Sequence, residues 1–241
     1  MRVVVTGSSG GVGSEIAARY AASGAFVAGI DRTPPKGCSN HLHIQCDLAS
    51  QTDLPQAITR INEFTNGLDL LVHAAGVFHD DETAARSDTA MQELWHVNYV
   101  APIAASELLL PLLKRGVTPL VVFIASTDAI VASGGQDCEV GVCHDTRYAA
   151  SKGALVTATR ALAMRWASQG IRVNAIAPTL VRSPMTKDLL DQPGKETELA
   201  QHIPLRRICE PADVAIAVEA LYCLTMTTAH VLPVDGGYLC R

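Results

Sequence analysis

Long apolar runs are missing from this sequence. No stretch approaches the ~18 residues that cross a bilayer as a helix. The longest apolar region, Val97 to Leu113, is interrupted by Asn98, Glu107 and two prolines. Basic runs are missing too, and the net charge is −5, which argues against nucleic-acid and membrane-surface partners. The opening residues Met1-Arg2-Val3-Val4-Val5-Thr6 run straight into a glycine loop and leave no room for a leader, so a cytoplasmic protein is expected. Paired cysteine spacing is absent. The seven cysteines (Cys38, Cys46, Cys138, Cys143, Cys209, Cys223 and Cys240) are odd in number and scattered, as befits reduced thiols that pack rather than bridge. Cys138, Cys143 and His144 do cluster, but the spacing is C-x4-C-H and no further cysteine or histidine stands near them as an obvious fourth ligand. A surface loop with two thiols is the preferred reading, and no metal is expected. Repeats, low-complexity stretches and linkers are also lacking, so residues 1–241 are expected to form one domain.

What is present is an alternation of apolar runs and helical patterns. Strands are expected at Arg2–Val5, Phe26–Ile30, Leu42–Gln45, Leu68–His73, Leu120–Ala125, Arg172–Ala177 and near His230–Val234. Helices are expected at Gly13–Ser23, Asp53–Asn66, about Thr89–Leu113, Thr146–Ser168 and about Pro211–Leu224. Nearly continuous apolar strands separated by helices predict an α/β fold: a doubly wound, Rossmann-type domain with a seven-stranded parallel sheet and helices on both faces. Two stretches read as irregular, Thr127 to Asp145 and Arg182 to His202. Both follow strands at their C-terminal ends, where open α/β sheets bind ligands, and a substrate rim or lid is the functional reading.

The loop Thr6-Gly7-Ser8-Ser9-Gly10-Gly11-Val12-Gly13 joins the first strand to the first helix. Glycines there let the backbone approach a pyrophosphate, and the helix N-terminus supplies N–H groups and positive dipole. Asp31 ends the second strand, 18 residues after Gly13. A carboxylate at that point accepts bonds from the adenosine ribose hydroxyls and repels a 2′-phosphate, which favours NAD over NADP. Arg32 pulls the other way, because a guanidinium binds that phosphate. Its plainer role is a solvated charge.

Tyr148 and Lys152 lie four positions apart in Thr146-Arg147-Tyr148-Ala149-Ala150-Ser151-Lys152-Gly153. That spacing puts both on one helix face. An ammonium beside a phenol favours the ionised form, which can exchange protons with an alcohol or carbonyl near neutral pH. In isolation the pair reads more readily as a surface aromatic and a solvated charge. The glycine loop, Asp31, Asn98 and Ser126 in order make it a site.

Taken together these residues resemble the short-chain dehydrogenase/reductase family over essentially the whole chain. The glycine loop matches its Thr-Gly-x-x-x-Gly-x-Gly motif, and Asp47-Leu48 the pair that contacts adenine. His73-Ala74-Ala75-Gly76 stands where the family has Asn-Asn-Ala-Gly. Asn98, Ser126, Tyr148 and Lys152 match its catalytic set, and Val234-Asp235-Gly236-Gly237 its C-terminal signature. Pro178 and Ser183, with Val181 between them, match the segment that holds the nicotinamide amide. The resemblance implies cofactor contacts from Gly7, Ser9, Gly11, Val12, Gly13, Asp31, Arg32, Asp47, Leu48, Ala74, Ala75, Gly76, Tyr148, Lys152, Pro178, Val181 and Ser183.

Three departures matter. His73 and Ala74 replace two asparagines, which should change loop bonds more than chemistry. Thr179 replaces the usual glycine. Ser126 precedes Tyr148 by 22 residues, more than is common in the family, so Thr127 rivals it; Ser126 is preferred because it ends the fifth strand. Asp128 reads as a loop cap. His79, His96 and His144 read as surface or packing groups, and Trp95 and Trp166 as packing groups.

The resemblance implies an NAD-dependent oxidoreductase that interconverts a secondary alcohol and its ketone, with Tyr148 as general acid/base. The short segment between Asp31 and Asp47, and the exit Ala125-Ser126-Thr127-Asp128-Ala129, are similar to the 2,3-dihydro-2,3-dihydroxybenzoate dehydrogenases. The long loop before Tyr148 is similar to that of bacterial hydroxysteroid dehydrogenases. A cyclic or aromatic-ring hydroxyl is therefore the expected substrate group. The alternatives are an NADPH-dependent reductase of steroid or polyketide-type ketones and a cofactor-binding regulator without turnover. The family also implies a homotetramer, with a dimer next, packed through the helices carrying Asn98 and Tyr148.

Overall fold

The computed structural model describes residues 1–35, 41–50, 52–79, 87–131 and 146–240. Seven strands form one sheet: β1 Arg2–Thr6, β2 Phe26–Asp31, β3 His41–Gln45, β4 Leu70–His73, β5 Leu120–Ile124, β6 Arg172–Pro178 and β7 Val231–Val234. Their order is β3-β2-β1-β4-β5-β6-β7, and every pairing is parallel. The chain winds outward from β1 in both directions. That reversal between β1 and β4 opens a crevice at the strands' C-terminal ends.

Two apolar layers sandwich the sheet, and the period-two alternation of strands assigns neighbours in β1 to opposite sides. Val4 joins the layer with Leu54, Ala57, Ile58 and Ile61 of α2 (Asp53–Phe64). Val3 and Val5 join the layer with Ile16 and Ala17 of α1 (Gly11–Ala22). The expected α/β architecture, with seven parallel strands and helices on both faces, is what the chain adopts. Element ends shift by a residue or two: α1 starts at Gly11, and β4 at Leu70.

The single helix expected over 89–113 is compound. It runs as α3 (Asp88–Trp95), a π-helical turn (His96–Val100), α4 (Ala101–Leu108) and α5 (Leu110–Leu113). Pro102 supplies the physical reason. It has no N–H to give the carbonyl four residues back, and its ring crowds that carbonyl. The register widens there, with Ala101 N–H bonding His96 O, and the turn so made contains Asn98. Such π turns are rare and concentrate at functional sites.

Residues 182–202 are not irregular throughout. They contain α7 (Lys187–Leu190) and α8 (Lys195–Gln201). Leu190, Leu199, Ile203 and Ile208 form a small core of their own beneath them. Gly194, at φ +77°, makes the left-handed turn between the two helices. The cluster Cys138, Cys143 and His144 lies outside the described residues, as does most of the long loop before Tyr148. Among the described residues no group of His, Cys, Asp and Glu has a metal-binding arrangement.

His73 is a core residue of β4. It stacks on Phe123 at 5.0 Å between ring centroids, and its Nε2 lies 2.8 Å from Ser106 Oγ. Ser106 spends its one proton on Pro102 O, so the imidazole must donate. Burial pushes His73 down to about 3, whereas the unfolded chain titrates near ~6.5. On acidification the unfolded state therefore takes the proton first. The neutral ring's contribution is complete above pH ~6.5 and is lost as pH falls toward 3, at about 1.4 kcal/mol per pH unit. Urea midpoints of the wild type and His73→Asn, compared between pH 7 and pH 4, should show the variant losing less stability by that slope.

Candidate functional site

The glycine loop is shaped by close backbone approach. Gly7 has φ +70°, and a Cβ there would lie 2.6 Å from the Cα of Ala75. A Cβ on Gly13 would overlap the carbonyl oxygen of Gly7. A Cβ on Gly11 would stand 3.0 Å from that of Ser183, so the loop also touches the segment after β6. These three glycines bring β1, the β4 exit and the Pro178–Ser183 segment together into a cradle open to α1's N-terminus. Ala74 N–H donates to Thr6 O at 3.2 Å and fixes the β4 exit against β1. Ser8 Oγ, buried in this loop, has no partner among the described residues.

Asp31 stands at the end of β2 and ties this loop down. Its Oδ2 accepts the Ser9 N–H at 3.0 Å, and its Oδ1 accepts the Thr33 N–H at 2.9 Å. Ser9 Oγ donates to Thr33 O at 2.6 Å. Cys46 N–H bonds the main-chain carbonyl of Asp31, so Asp47 and Leu48 leave β3 at the end of the sheet where Asp31 ends β2. Leu48 is buried and Asp47 Oδ1 accepts the Ala49 N–H at 2.9 Å. Arg32 is two-thirds exposed (66%) and reaches Glu93 of α3. Val12, Ala74 and Val181 pack against the α1-side core. Ser183 and Thr186 form a capping box, and Thr186 Oγ1 donates to Val181 O at 2.6 Å, which stiffens the segment.

The second half of the site lies across the crevice. Asn98 is fully buried on the π turn. Its Oδ1 accepts the Val77 N–H at 2.9 Å, while its Nδ2 donates to Val77 O at 2.9 Å and to Ser151 Oγ at 3.1 Å. These bonds clamp the loop after β4 to α6 (Thr146–Trp166), the helix that carries Tyr148 and Lys152. Lys152 is 4% exposed, and its Nζ donates to Ile124 O, at the end of β5, at 3.0 Å. The same ammonium lies 5.6 Å from the centroid of the Tyr148 ring. Burial lowers its pKa to about 8, because a charge taken from water favours the neutral form. A Cβ on Gly76 would lie 3.4 Å from Lys152 Nζ and 3.5 Å from Asn98 Oδ1, so the loop after β4 runs directly against both groups.

Ser126 leaves β5 and caps the short turn Thr127–Ala129. Its Oγ accepts the Asp128 N–H at 3.2 Å and donates to Asp128 Oδ2 at 3.1 Å. Asp128 thus takes part in a loop cap, as expected. Thr127 sits inside the turn, 3% exposed. Trp166 is core, and Trp95 meets Tyr99 edge-on. Two neighbours carried no signal in the sequence. Phe78 meets the Tyr148 ring edge-on at 5.4 Å, and His79 bonds Glu93 at 2.9 Å. Both are contacts between distant positions, which no local pattern encodes.

Fold and site define a dinucleotide-binding oxidoreductase: a glycine cradle at a helix N-terminus faces a tyrosine–lysine pair held by a buried asparagine. A family model described as enoyl-(acyl carrier protein) reductase matches residues 7–239. The 2-(R)-hydroxypropyl-CoM dehydrogenase of Xanthobacter autotrophicus is 30% identical over 98% of this chain and 97% of its own. An uncharacterized short-chain type dehydrogenase/reductase of Sinorhizobium fredii is 31% identical over 98% of this chain, which spans only 43% of that relative's length. The ligand-free aldohexose dehydrogenase of Thermoplasma acidophilum superposes with a TM-score of 0.88 at 27% identity, covering 100% of this chain and 94% of its own. The chain belongs to the short-chain dehydrogenase/reductase family. It is an oxidoreductase acting on CH–OH groups with NAD(P) as acceptor. No helix among the described residues is long and apolar enough to cross a membrane.

Proposed function

We propose that this chain, working as one dinucleotide-binding domain over residues 1–241, is an NAD-dependent dehydrogenase. Its substrate is a secondary alcohol, with the hydroxyl on a cyclic or aromatic-ring framework, and its product the ketone. The observation that carries the reading is the buried Lys152 ammonium held against the Tyr148 ring. The cradle fits the cofactor because its three glycines permit the close chain packing, which any Cβ would break, that shapes the loop at the N-terminus of α1. Gly7, Ser9, Gly11, Val12 and Gly13 would hold the pyrophosphate, Asp31 the adenosine ribose and Asp47 with Leu48 the adenine. Ala74, Ala75, Gly76, Pro178, Val181 and Ser183 would hold the nicotinamide end.

Bound NAD supplies the hydride acceptor. Tyr148 takes the hydroxyl proton as the carbonyl forms and returns it in the reverse direction. The Lys152 ammonium favours the phenolate; with a pKa near 8 it is charged at neutral pH. Ser126 donates its proton to the substrate oxygen, for which it turns away from Asp128. The Asn98 side chain is committed to Val77 and Ser151. Its main-chain carbonyl, denied an amide by Pro102, is the group left to anchor a relay water. Phe78 offers an apolar edge beside Tyr148 for a ring substrate.

Asp31 supports NAD. The exposed Arg32 favours the second reading, an NADPH-dependent ketone reductase. Exposed Val100, Leu108 and Met164 on the helices near Asn98 and Tyr148 support a homotetramer or dimer. Cys46, Cys209, Cys223 and Cys240 are free thiols, which suits the cytoplasm. A panel of cyclic and aromatic alcohols, tested with NAD and NADP and followed by reduced-nicotinamide absorbance, decides the cofactor. The expected result is turnover with NAD exceeding that with NADP. Activity confined to NADP overturns the Asp31 assignment.

A further inference from the structure

Arg32 follows Asp31 directly and carries the positive charge nearest in sequence to the carboxylate assigned to the adenosine ribose. Its guanidinium has one carboxylate neighbour among the described residues: Arg32 NH1 lies 3.9 Å from Glu93 Oε1. Glu93 belongs to α3, the helix just before the π turn that holds Asn98. Its other oxygen, Oε2, lies 2.9 Å from His79 Nε2, and a carboxylate can only accept, so the imidazole N–H donates. His79 and Glu93 are both partly buried, at 24% and 29% side-chain exposure, whereas Arg32 is at 66%. The acid is therefore the anchored member and the guanidinium the movable one.

A ribose 2′-phosphate needs a cation with a free fork. Here the fork is drawn toward a fixed carboxylate. We propose that Glu93 is a cofactor-specificity residue: it restrains Arg32, held in place by His79, and so excludes the 2′-phosphate of NADP. The inference rests on the dinucleotide site proposed above.

Nicotinamide-fluorescence titrations of NADH and NADPH test it on the wild type, Glu93→Gln, Arg32→Ala and the double variant. The quantity read is the ratio of NADPH affinity to NADH affinity. Glu93→Gln should raise that ratio about three- to fivefold, the scale of one exposed charge pair. In the Arg32→Ala background the same change should move it less than about twofold. An unchanged ratio in Glu93→Gln overturns the proposal. An equal gain without Arg32 also overturns it, because the effect would then be bulk charge alone. Wild-type protein that binds NADPH more tightly than NADH contradicts the Asp31 assignment instead, and the role of Glu93 is still read from the ratio's movement between variants. Glu93→Asp, a shorter acid, should give a ratio between those of the wild type and Glu93→Gln.

Discussion

Replacing Tyr148 by phenylalanine should cut kcat by about 10²–10⁴-fold, the share that general acid–base groups commonly supply. The change removes one oxygen. The ring remains, and with it the edge contact to Phe78 at 5.4 Å and the Lys152 ammonium at 5.6 Å from the centroid. Packing of α6 against the sheet should therefore survive, and NADH affinity should stay within about twofold of the wild type. Because proton transfer belongs to the transition state, kcat and kcat/KM should fall together. A variant that keeps full turnover would exclude Tyr148 as the acid/base. A variant that loses NADH binding instead would make the residue a cofactor support.

The second large effect is expected at Gly13. An alanine Cβ there would be forced onto Gly7 O and would also lie 2.7 Å from Gly7 C and 3.2 Å from Ser8 N. All three neighbours are backbone, so no side chain can swing aside. The loop is pinned as well, because Gly7 N–H bonds Ile30 O at 2.8 Å and Asp31 holds Ser9 N–H. Overpacking of this kind costs about 1–3 kcal/mol of stability. The same displacement moves the amides proposed to face the pyrophosphate, and NADH affinity should fall by at least ~10-fold. Gly24→Ala is the control. Gly24 has φ +82° and nothing within 4 Å of an added Cβ, so it should lose about 1–2 kcal/mol through left-handed strain while NADH affinity holds. Equal losses of affinity in the two variants would mean that general destabilisation, not loop shape, sets binding.

These residues also mark what could be read from sequence. The glycine cradle, Asp31 and the strands were legible because each is a local pattern: a turn that tolerates no Cβ, or an apolar run of strand length. The spacing of Tyr148 and Lys152 was legible as one helix face, but only the glycine loop, Asp31, Asn98 and Ser126 in order marked the pair as a site. Asn98 was recognisable by position, but the π turn that holds it comes from Pro102 four residues on, and the long apolar pattern of 89–113 hid that break. The helices of 187–201 were missed because each spans two turns or fewer, with Pro193 and Gly194 between them, which reads as loop. His73 was expected to alter loop bonds. It is instead a buried β4 side chain whose partner, Ser106, lies 33 residues away. The chain Arg32, Glu93 and His79 joins three separate segments, and only the fold brings them within reach.

Under the proposed function, a hydride passes from a ring carbinol to NAD while Tyr148 takes the proton. The most direct measurement uses a cyclic secondary alcohol deuterated at the carbinol carbon, with the reduced cofactor collected and weighed by mass spectrometry. The wild type should yield reduced nicotinamide carrying the deuterium, and Tyr148→Phe almost none in the same time. Reduced cofactor without the label, or equal labelled product from the variant, would contradict it.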